Sequence, residues 1–184
     1  MKRILLLLIF FILISTSCKI HFTHKLRLQV DKQDIPLSNI QFYTSKKIIL
    51  QRIASENTVI EDSASLKQTT QTIVERIKIK RNTPGICISS FEKEVEIKFE
   101  EKDSCTIKFV LSDTTSLQGR YKIGALSWEN EVGQIPYDGK IYFTRPRVFF
   151  FQPKSHEASL KVKKKFLHKL KVEKRKVKGI KINK

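Results

Sequence analysis

The sequence lacks a second long apolar run, and it lacks the short motifs that mark common catalytic sites. Only residues 4–14 are continuously apolar, and these eleven residues are too few to cross a bilayer core, which takes about 20 residues as a helix. No Gly-x-Ser-x-Gly elbow, glycine-rich phosphate loop or His-Glu-x-x-His pair is present. A polytopic membrane protein is therefore excluded, and no residue is nominated as a nucleophile or a general base.

Acidic residues are scarce: 18 Asp and Glu stand against 36 Lys and Arg, which gives a formal net charge of +18. The excess is concentrated in residues 161–184, which carry twelve Lys or Arg and a single acid, Glu173. This end could bind an anionic membrane surface or another polyanion, or it could be a solvated tail that opposes aggregation. The residues proposed for polyanion binding are Lys163, Lys164, Lys165, Lys169, Lys171, Lys174, Arg175 and Lys176.

The first eighteen residues have the parts of a secretory signal peptide. Lys2 and Arg3 precede the apolar run, and three small polar residues at positions 15–17 lead into Cys18. The arrangement resembles a bacterial lipoprotein signal, in which the cysteine becomes the lipidated first residue of the mature chain. Ordinary cleavage that leaves Cys18 incidental is the alternative. Export makes nucleic acid a poor partner for the basic end.

Alternating apolar and polar residues dominate the chain between positions 25 and 162. Val95 and Ile97, for example, alternate with Glu94 and Glu96. This period of two predicts half-buried strands, and no helix of convincing length is expected. We predict an all-β fold, an antiparallel sandwich or small barrel of about nine or ten strands with a basic C-terminal tail. The expected segments are a signal peptide over 1–17, a lipidated tether over 18–25, a β domain over 26–162 and a polybasic tail over 163–184.

Two short stretches have the composition of tight turns. In residues 83–85 proline can fix φ at the second turn position and glycine can supply a positive φ at the third. Residues 136–139 end in Asp138-Gly139, which predicts a turn between two strands.

The three cysteines divide into one anchor and two others. Cys18 is the predicted site of lipidation, while Cys87 and Cys105 could pair in an oxidising periplasm or stay as thiols. His21 and His24 have a spacing that could offer two metal ligands, but no matching ligand pair follows. We therefore expect a solvated tether there, with no metal site and no cofactor.

Three aromatic residues lie among glycines near predicted strand ends. Trp128, Tyr137 and Tyr142 could form a platform for a ligand, because these side chains supply flat area at low entropic cost. The alternative is that Trp128 caps the core and the glycines mark bulges or turns. The sequence does not nominate an enzyme, and an envelope hydrolase with an unrecognised site is left open.

Several stretches carry a family likeness over most of residues 26–178. Residues 41–43, 47–52, 83–85 and 128–142, together with the basic end, resemble uncharacterised lipoproteins of Bacteroidetes type. The resemblance implies an all-β, lipid-anchored module and carries over no functional residue. Surface-exported lipoproteins of that lineage tend to have acids just after the cysteine, whereas here no acid follows before Asp31. We therefore expect a protein that faces the periplasm. Lys19 also differs from the Asp that often retains lipoproteins at the inner membrane in other lineages, so we expect attachment to the outer membrane.

The sequence thus predicts a lipid-anchored cell-envelope protein that acts as a non-enzymatic binding or structural module. Its expected partners are the membrane, through the lipid anchor, and an envelope protein or an anionic lipid. A protein that binds polyanions or a membrane surface through its basic tail is the second hypothesis.

Overall fold

Two antiparallel sheets make up most of the protein in its computed structural model, which describes residues 19–60, 68–144 and 154–169. The described residues contain one α-helix, α1 (His24–Asp31), and short 3-10 turns at Leu37–Asn39, Ser155–Glu157 and Lys164–Lys169. Their strands, in chain order, are β1 (Lys19–His21), β2 (Gln41–Thr44), β3 (Ile48–Ile60), β4 (Gln68–Ile79), β5 (Pro84–Ser90), β6 (Glu94–Lys98), β7 (Thr106–Leu111), β8 (Tyr121–Ile123), β9 (Trp128–Glu129), β10 (Val132–Tyr137), β11 (Lys140–Thr144) and β12 (Leu160–Lys163).

One sheet has seven strands in the order β1-β12-β2-β5-β6-β7-β8, and the other has five in the order β4-β3-β11-β10-β9. Neither sheet closes on itself, so the predicted all-β sandwich is confirmed and a barrel is not formed. The strands outnumber the nine or ten expected, partly because β1 and β9 are only three and two residues long. Such short strands leave almost no period for a sequence pattern to reveal.

A single apolar cluster takes side chains from both sheets and from α1. Val95 and Ile97 on β6 pair with Phe109 and Ile107 on β7, and all four are essentially fully buried. Their polar neighbours along the strands lie on the opposite face of the sheet, as the alternation predicts. Burial of each such large apolar side chain contributes about 1.5–3 kcal/mol.

The predicted tether over 18–25 is wrong for residues 19–25, which belong to the fold. β1 pairs with β12, and Phe22 is completely buried with its ring centroid 5.1 Å from that of Phe42 and 5.3 Å from that of Tyr121. Thr23 then caps α1, because its hydroxyl oxygen accepts a hydrogen bond from the amide of Leu26. Cys18 and the predicted signal peptide lie outside the described residues.

The short helix α1 was not expected from the sequence. It buries Leu26 and Val30, which lie one turn apart, while Arg27 pairs with Asp31 at 2.7 Å. With only eight residues it offers two apolar positions on one face, too few to stand out against the strand pattern around it.

The predicted start of the basic tail, at residue 163, also differs from the structure. Lys163 is the last residue of β12, and the turn that follows packs Phe166 and Leu167 against the core. The described chain therefore remains part of the fold to residue 169. The remaining residues of the predicted tail, with Lys171, Lys174, Arg175 and Lys176, lie outside the described residues.

Of the two predicted turns, the second is confirmed and the first is displaced. Asp138 and Gly139 have φ of 52° and 70° and join β10 to β11 as a two-residue hairpin turn. The predicted turn at 83–85 is wrong: the chain reverses at Asn82, whose φ is 65°. Gly85 instead lies inside β5, where a Cβ atom would come within 2.8 Å of the Phe99 ring.

Candidate functional site

A basic groove lies where the end of the seven-stranded sheet meets its first strands. Isolated bridges pair Lys122 of β8 with Ser159 and Arg120 with Thr23, and His21 lies opposite Lys161 on the β1–β12 ladder. These contacts bring together residues that are up to 140 positions apart in the chain. The residues that line the groove are His21, Ser45, Lys46, Lys47, Arg81, Arg120, Lys122, Lys154, Glu157, Ser159 and Lys161.

The charge of the basic groove is almost entirely of one sign. Among the residues that the structure describes, seven Lys or Arg side chains and one carboxylate, that of Glu157, line a volume of about 690 Å³. Glu157 is bonded by Lys46 and by Lys154, the latter at 3.1 Å, and these contacts lower the pKa of Glu157 to about 2. The single acid is therefore already neutralised, and the groove presents a net positive field to solvent.

Two buried serines and His21 form the polar wall of the basic groove. The Ser159 hydroxyl donates to the Ser45 hydroxyl at 3.0 Å, and Ser159 is hydrogen-bonded to Nδ1 of His21 at 3.1 Å. Burial, followed by the charges of Arg120 and Lys161, lowers the pKa of His21 to about 4. His21 is therefore neutral at physiological pH.

At the edge of the same sheet, β1 from the start of the described chain pairs with β12 from near its end. Lys19 and Lys163 are Cα partners across β1 and β12, so the position after Cys18 and the start of the basic segment lie side by side. Both ammonium groups lie over the ring of Tyr43, with Nζ at 4.1 Å from the centroid for Lys19 and 5.8 Å for Lys163. We call this pairing of Lys19 and Lys163 over Tyr43 the anchor edge.

The predicted aromatic platform is not what the structure forms. Tyr137 and Tyr142 are 2% and 4% exposed, and their rings meet edge to face at 6.4 Å. The Tyr137 hydroxyl donates to Glu100 at 2.7 Å, and the Tyr142 hydroxyl donates to Glu75 at 2.9 Å. Both tyrosines are therefore core residues with satisfied hydroxyls, because the alternation of β10 and β11 turns them inward.

Trp128 lies apart from the two tyrosines and is 42% exposed. Its ring covers Gly133 on the neighbouring strand, where a Cβ atom would come within 2.6 Å of the indole. Gly133 lies inside β10, and its lack of a side chain leaves room for the indole to cover the backbone.

Glu75 is held in a network with Arg52 and Tyr142. Arg52 Nε donates to Glu75 Oε2 at 2.7 Å, and Lys140 Nζ lies 3.6 Å from Oε1. The Arg52 hydrogen bond, followed by that of Tyr142, lowers the pKa of Glu75 to about 2. A carboxylate held ionised in this way is the opposite of a general acid, whose pKa is raised.

Cys87 and Cys105 are both buried and both free thiols. Cys87 is in register with Ile97, and Ile97 with Ile107, so two strand spacings of about 4.8 Å separate Cys87 from the strand that Cys105 precedes. The Cα atoms of a disulfide lie within about 7 Å of each other, so these positions are too far apart for a bridge. Burial raises the pKa of each thiol.

Within residues 19–60, 68–144 and 154–169 there is neither a cluster of metal-ligating side chains nor a helix long and apolar enough to cross a membrane. The two histidines first considered as a ligand pair diverge, because His21 lines the basic groove and His24 begins α1. Comparisons of the chain with models of protein families, with curated proteins and with solved structures find no match.

Among the residues proposed for polyanion binding, Lys163, Lys164 and Lys165 are exposed in the structure. Lys169 ends the last 3-10 turn. The basic groove itself was missed, because its charges are spread over four stretches of sequence, 46–47, 81, 120–122 and 154–161, and no local pattern joins them. The one available signal was the sparsity of acids around Lys46, Arg81 and Arg120.

Proposed function

We propose that the protein is a lipid-anchored module of the cell envelope, non-enzymatic and facing the periplasm, whose anchor edge lies against an anionic membrane surface. The observation that supports this is the pairing of Lys19 with Lys163. A lipid on Cys18 would leave the fold one residue before Lys19, at the point where the basic segment also begins.

Two membrane signals at one edge act together. A single acyl chain gives only marginal, reversible attachment, and a basic segment adds about 1 kcal/mol per Lys or Arg near an anionic surface. Because Lys163 pairs with Lys19 on β1 and the exposed Lys164 and Lys165 follow it in the chain, the lipid and the basic charges would contact the same patch of membrane. The outer membrane is the proposed location, as the basic residues after Cys18 favour.

A binding or structural role is favoured over catalysis by the state of the acids. Glu75 and Glu157 are held ionised by cations, with pKa values lowered to about 2. Neither is in the state needed to donate a proton at neutral pH. An envelope protein or an anionic lipid is the proposed partner.

Metabolic labelling with palmitate tests the anchor. The wild-type chain should incorporate label, and Cys18→Ala should not, because Cys18 is the proposed acceptor. Cys87→Ala is the matched control and should label like the wild type, since Cys87 is buried in the core. Equal labelling of the Cys18→Ala and wild-type chains would refute the anchor.

The second candidate, binding of polyanions through the basic segment, is favoured by the exposure of Lys163, Lys164 and Lys165. Its test needs a truncation that spares the fold, because deletion from residue 163 would remove the end of β12 and the packed Phe166. A chain that ends at Lys169 keeps both. Loss of salt-dependent binding to anionic vesicles when this truncated chain also carries Lys163→Gln, Lys164→Gln and Lys165→Gln supports the candidate, and unchanged binding refutes it.

A further inference from the structure

We propose that the basic groove binds a ligand that carries two or more phosphate groups. This site goes beyond membrane anchoring, because it is built from the folded β body and does not depend on a lipid at Cys18. The proposal rests on the charge, the size and the hydrogen-bonding groups of the groove.

Four cations of the basic groove have no ion-pair partner among the residues that the structure describes. Lys46 and Lys154 are paired with Glu157, but Lys47, Arg81, Arg120 and Lys122 form no ion pair with any residue of the described ranges. Like charges in one concave surface repel one another and concentrate anions from solution. A bound anion would remove this repulsion, so the folded protein gains from binding one.

Size and charge together favour more than one phosphate. A volume of about 690 Å³ lies within the range of roughly 300–1,000 Å³ that is typical of small-molecule sites. Seven Lys or Arg side chains and one carboxylate are among the described residues that line it. One phosphate carries only about two negative charges near neutral pH, so a ligand with two or more phosphates matches the charge of the groove better.

The donor groups suit phosphate in particular. Each arginine presents a planar fork that can bond two phosphate oxygens at once, and two such forks line this groove. The lysines add point charges, and the polar wall of Ser45, Ser159 and His21 supplies hydroxyl and ring nitrogen groups. Glu157, the one carboxylate among the described residues that line the groove, is occupied by two lysines, so it does not repel the ligand.

The pKa of His21 should show whether a ligand occupies the basic groove. Arg120 and Lys161 face its ring, Ser159 is bonded to Nδ1, and Lys46 and Lys122 line the same groove, so the surroundings disfavour the protonated ring. A polyanion bound between these cations would reverse that field. The pKa of His21, about 4 in the free protein, should therefore rise when the ligand binds.

The test titrates inorganic pyrophosphate into the full-length chain in a non-ionic detergent and measures binding by calorimetry. Arg81→Gln with Arg120→Gln removes two exposed charges and should weaken binding by about tenfold or more, since each loses a charge-assisted contact. Lys78→Gln with Lys93→Gln removes the same charge at exposed positions outside the groove and should bind like the wild type.

The same titration followed by NMR of the histidine rings gives the second readout. Pyrophosphate should raise the pKa of His21 in the wild type but not in the double arginine variant, with His21→Gln used to assign the signal. In a parallel experiment, cardiolipin in the detergent micelles replaces pyrophosphate as the source of phosphate groups. A rise with pyrophosphate identifies free phosphates as sufficient, and a rise with cardiolipin alone identifies a lipid headgroup.

Two results would overturn the proposal. One is no change at His21 with either phosphate source. The other is equal weakening in the arginine and lysine variants, which would show binding to net charge alone. Cys18→Ala should bind pyrophosphate like the wild type, so failure of the groove and failure of the lipid anchor are distinguishable.

Discussion

Lys19 and Lys163 face each other across the β1–β12 ladder, and both extend over the ring of Tyr43. The pairing brings together two residues that are 144 positions apart and lie near the two ends of the described chain. A lipid on Cys18 would therefore be next to the edge at which the exposed Lys163 lies. In the proposed function, this edge is the side of the protein that faces the membrane.

The segment that follows Cys18 should be essential for stability. Phe22→Ala removes a fully buried ring between Phe42 and Tyr121 and should lower the free energy of unfolding by about 3–5 kcal/mol. Leu28→Ala, at a position that is 47% exposed in α1, should change it by about 0.5 kcal/mol or less. Urea unfolding followed by circular dichroism measures both changes. A negligible effect of Phe22→Ala would support the original prediction that residues 18–25 form a solvated tether.

The two core cysteines should remain unpaired in an oxidising compartment. Because Cys87 lies on β5 and Cys105 directly precedes β7, with β6 between the two strands, oxidant should not bridge the cysteines in the folded protein. Ellman's reagent should react slowly with the native chain and rapidly after unfolding, since both thiols are buried. A tryptic peptide that links the two cysteines would contradict this.

Acid should weaken the protein partly through Glu75. Its pKa is about 2 when folded and near the ordinary 4.5 when unfolded, so its contribution is present above pH 4.5 and is lost as pH falls towards 2. Glu75→Gln should flatten the fall in unfolding free energy over that window, and Tyr142→Phe should flatten it less. Glu157→Gln serves as a comparison, because Glu157 titrates in the same range. An unchanged slope in Glu75→Gln would count against the network.

The contact between Gly133 and Trp128 should be sensitive to a single methyl group. Gly133→Ala would place Cβ within 2.6 Å of the indole and should cost about 1–3 kcal/mol by overpacking. The emission of Trp128, the single tryptophan of the chain, should shift as its ring is displaced. The cost of Gly133→Ala should shrink in a Trp128→Ala background, and equal costs in both backgrounds would exclude the contact.

The sequence predicts the sheet interior well, because burial imposes alternation locally. Val95, Ile97, Ile107 and Phe109 are buried as expected, and the Asp138-Gly139 turn needs only its own two residues. Cys87 shows the limit of that reasoning. It faces the core while its neighbours Ile86 and Ile88 are about half exposed, so hydrophobicity alone assigns the wrong face of β5.

The basic groove could not be predicted, because its cations come together through pairing between distant strands. The body of the chain has only a small net positive charge, because a net charge sums the acids and the bases regardless of where they lie in the fold. In the fold, Glu94 and Glu96 lie on β6, whereas His21, Arg120 and Lys161 gather at the junction of β8 with β1 and β12. The order of the strands in the sheet, which the sequence pattern does not specify, places these acids away from the cations of the groove.

Membrane fractionation of three chains tests the central proposal most directly. The wild type should stay with the membranes in low salt and in about 1 M salt, where the Debye length is only ~3 Å, because an acyl chain does not respond to screening. Cys18→Ala should stay bound in low salt through its basic residues and be released in high salt. Cys18→Ala in a chain that ends at Lys169 should bind more weakly in low salt. Retention of Cys18→Ala in high salt to the same extent as the wild type would contradict the lipid anchor.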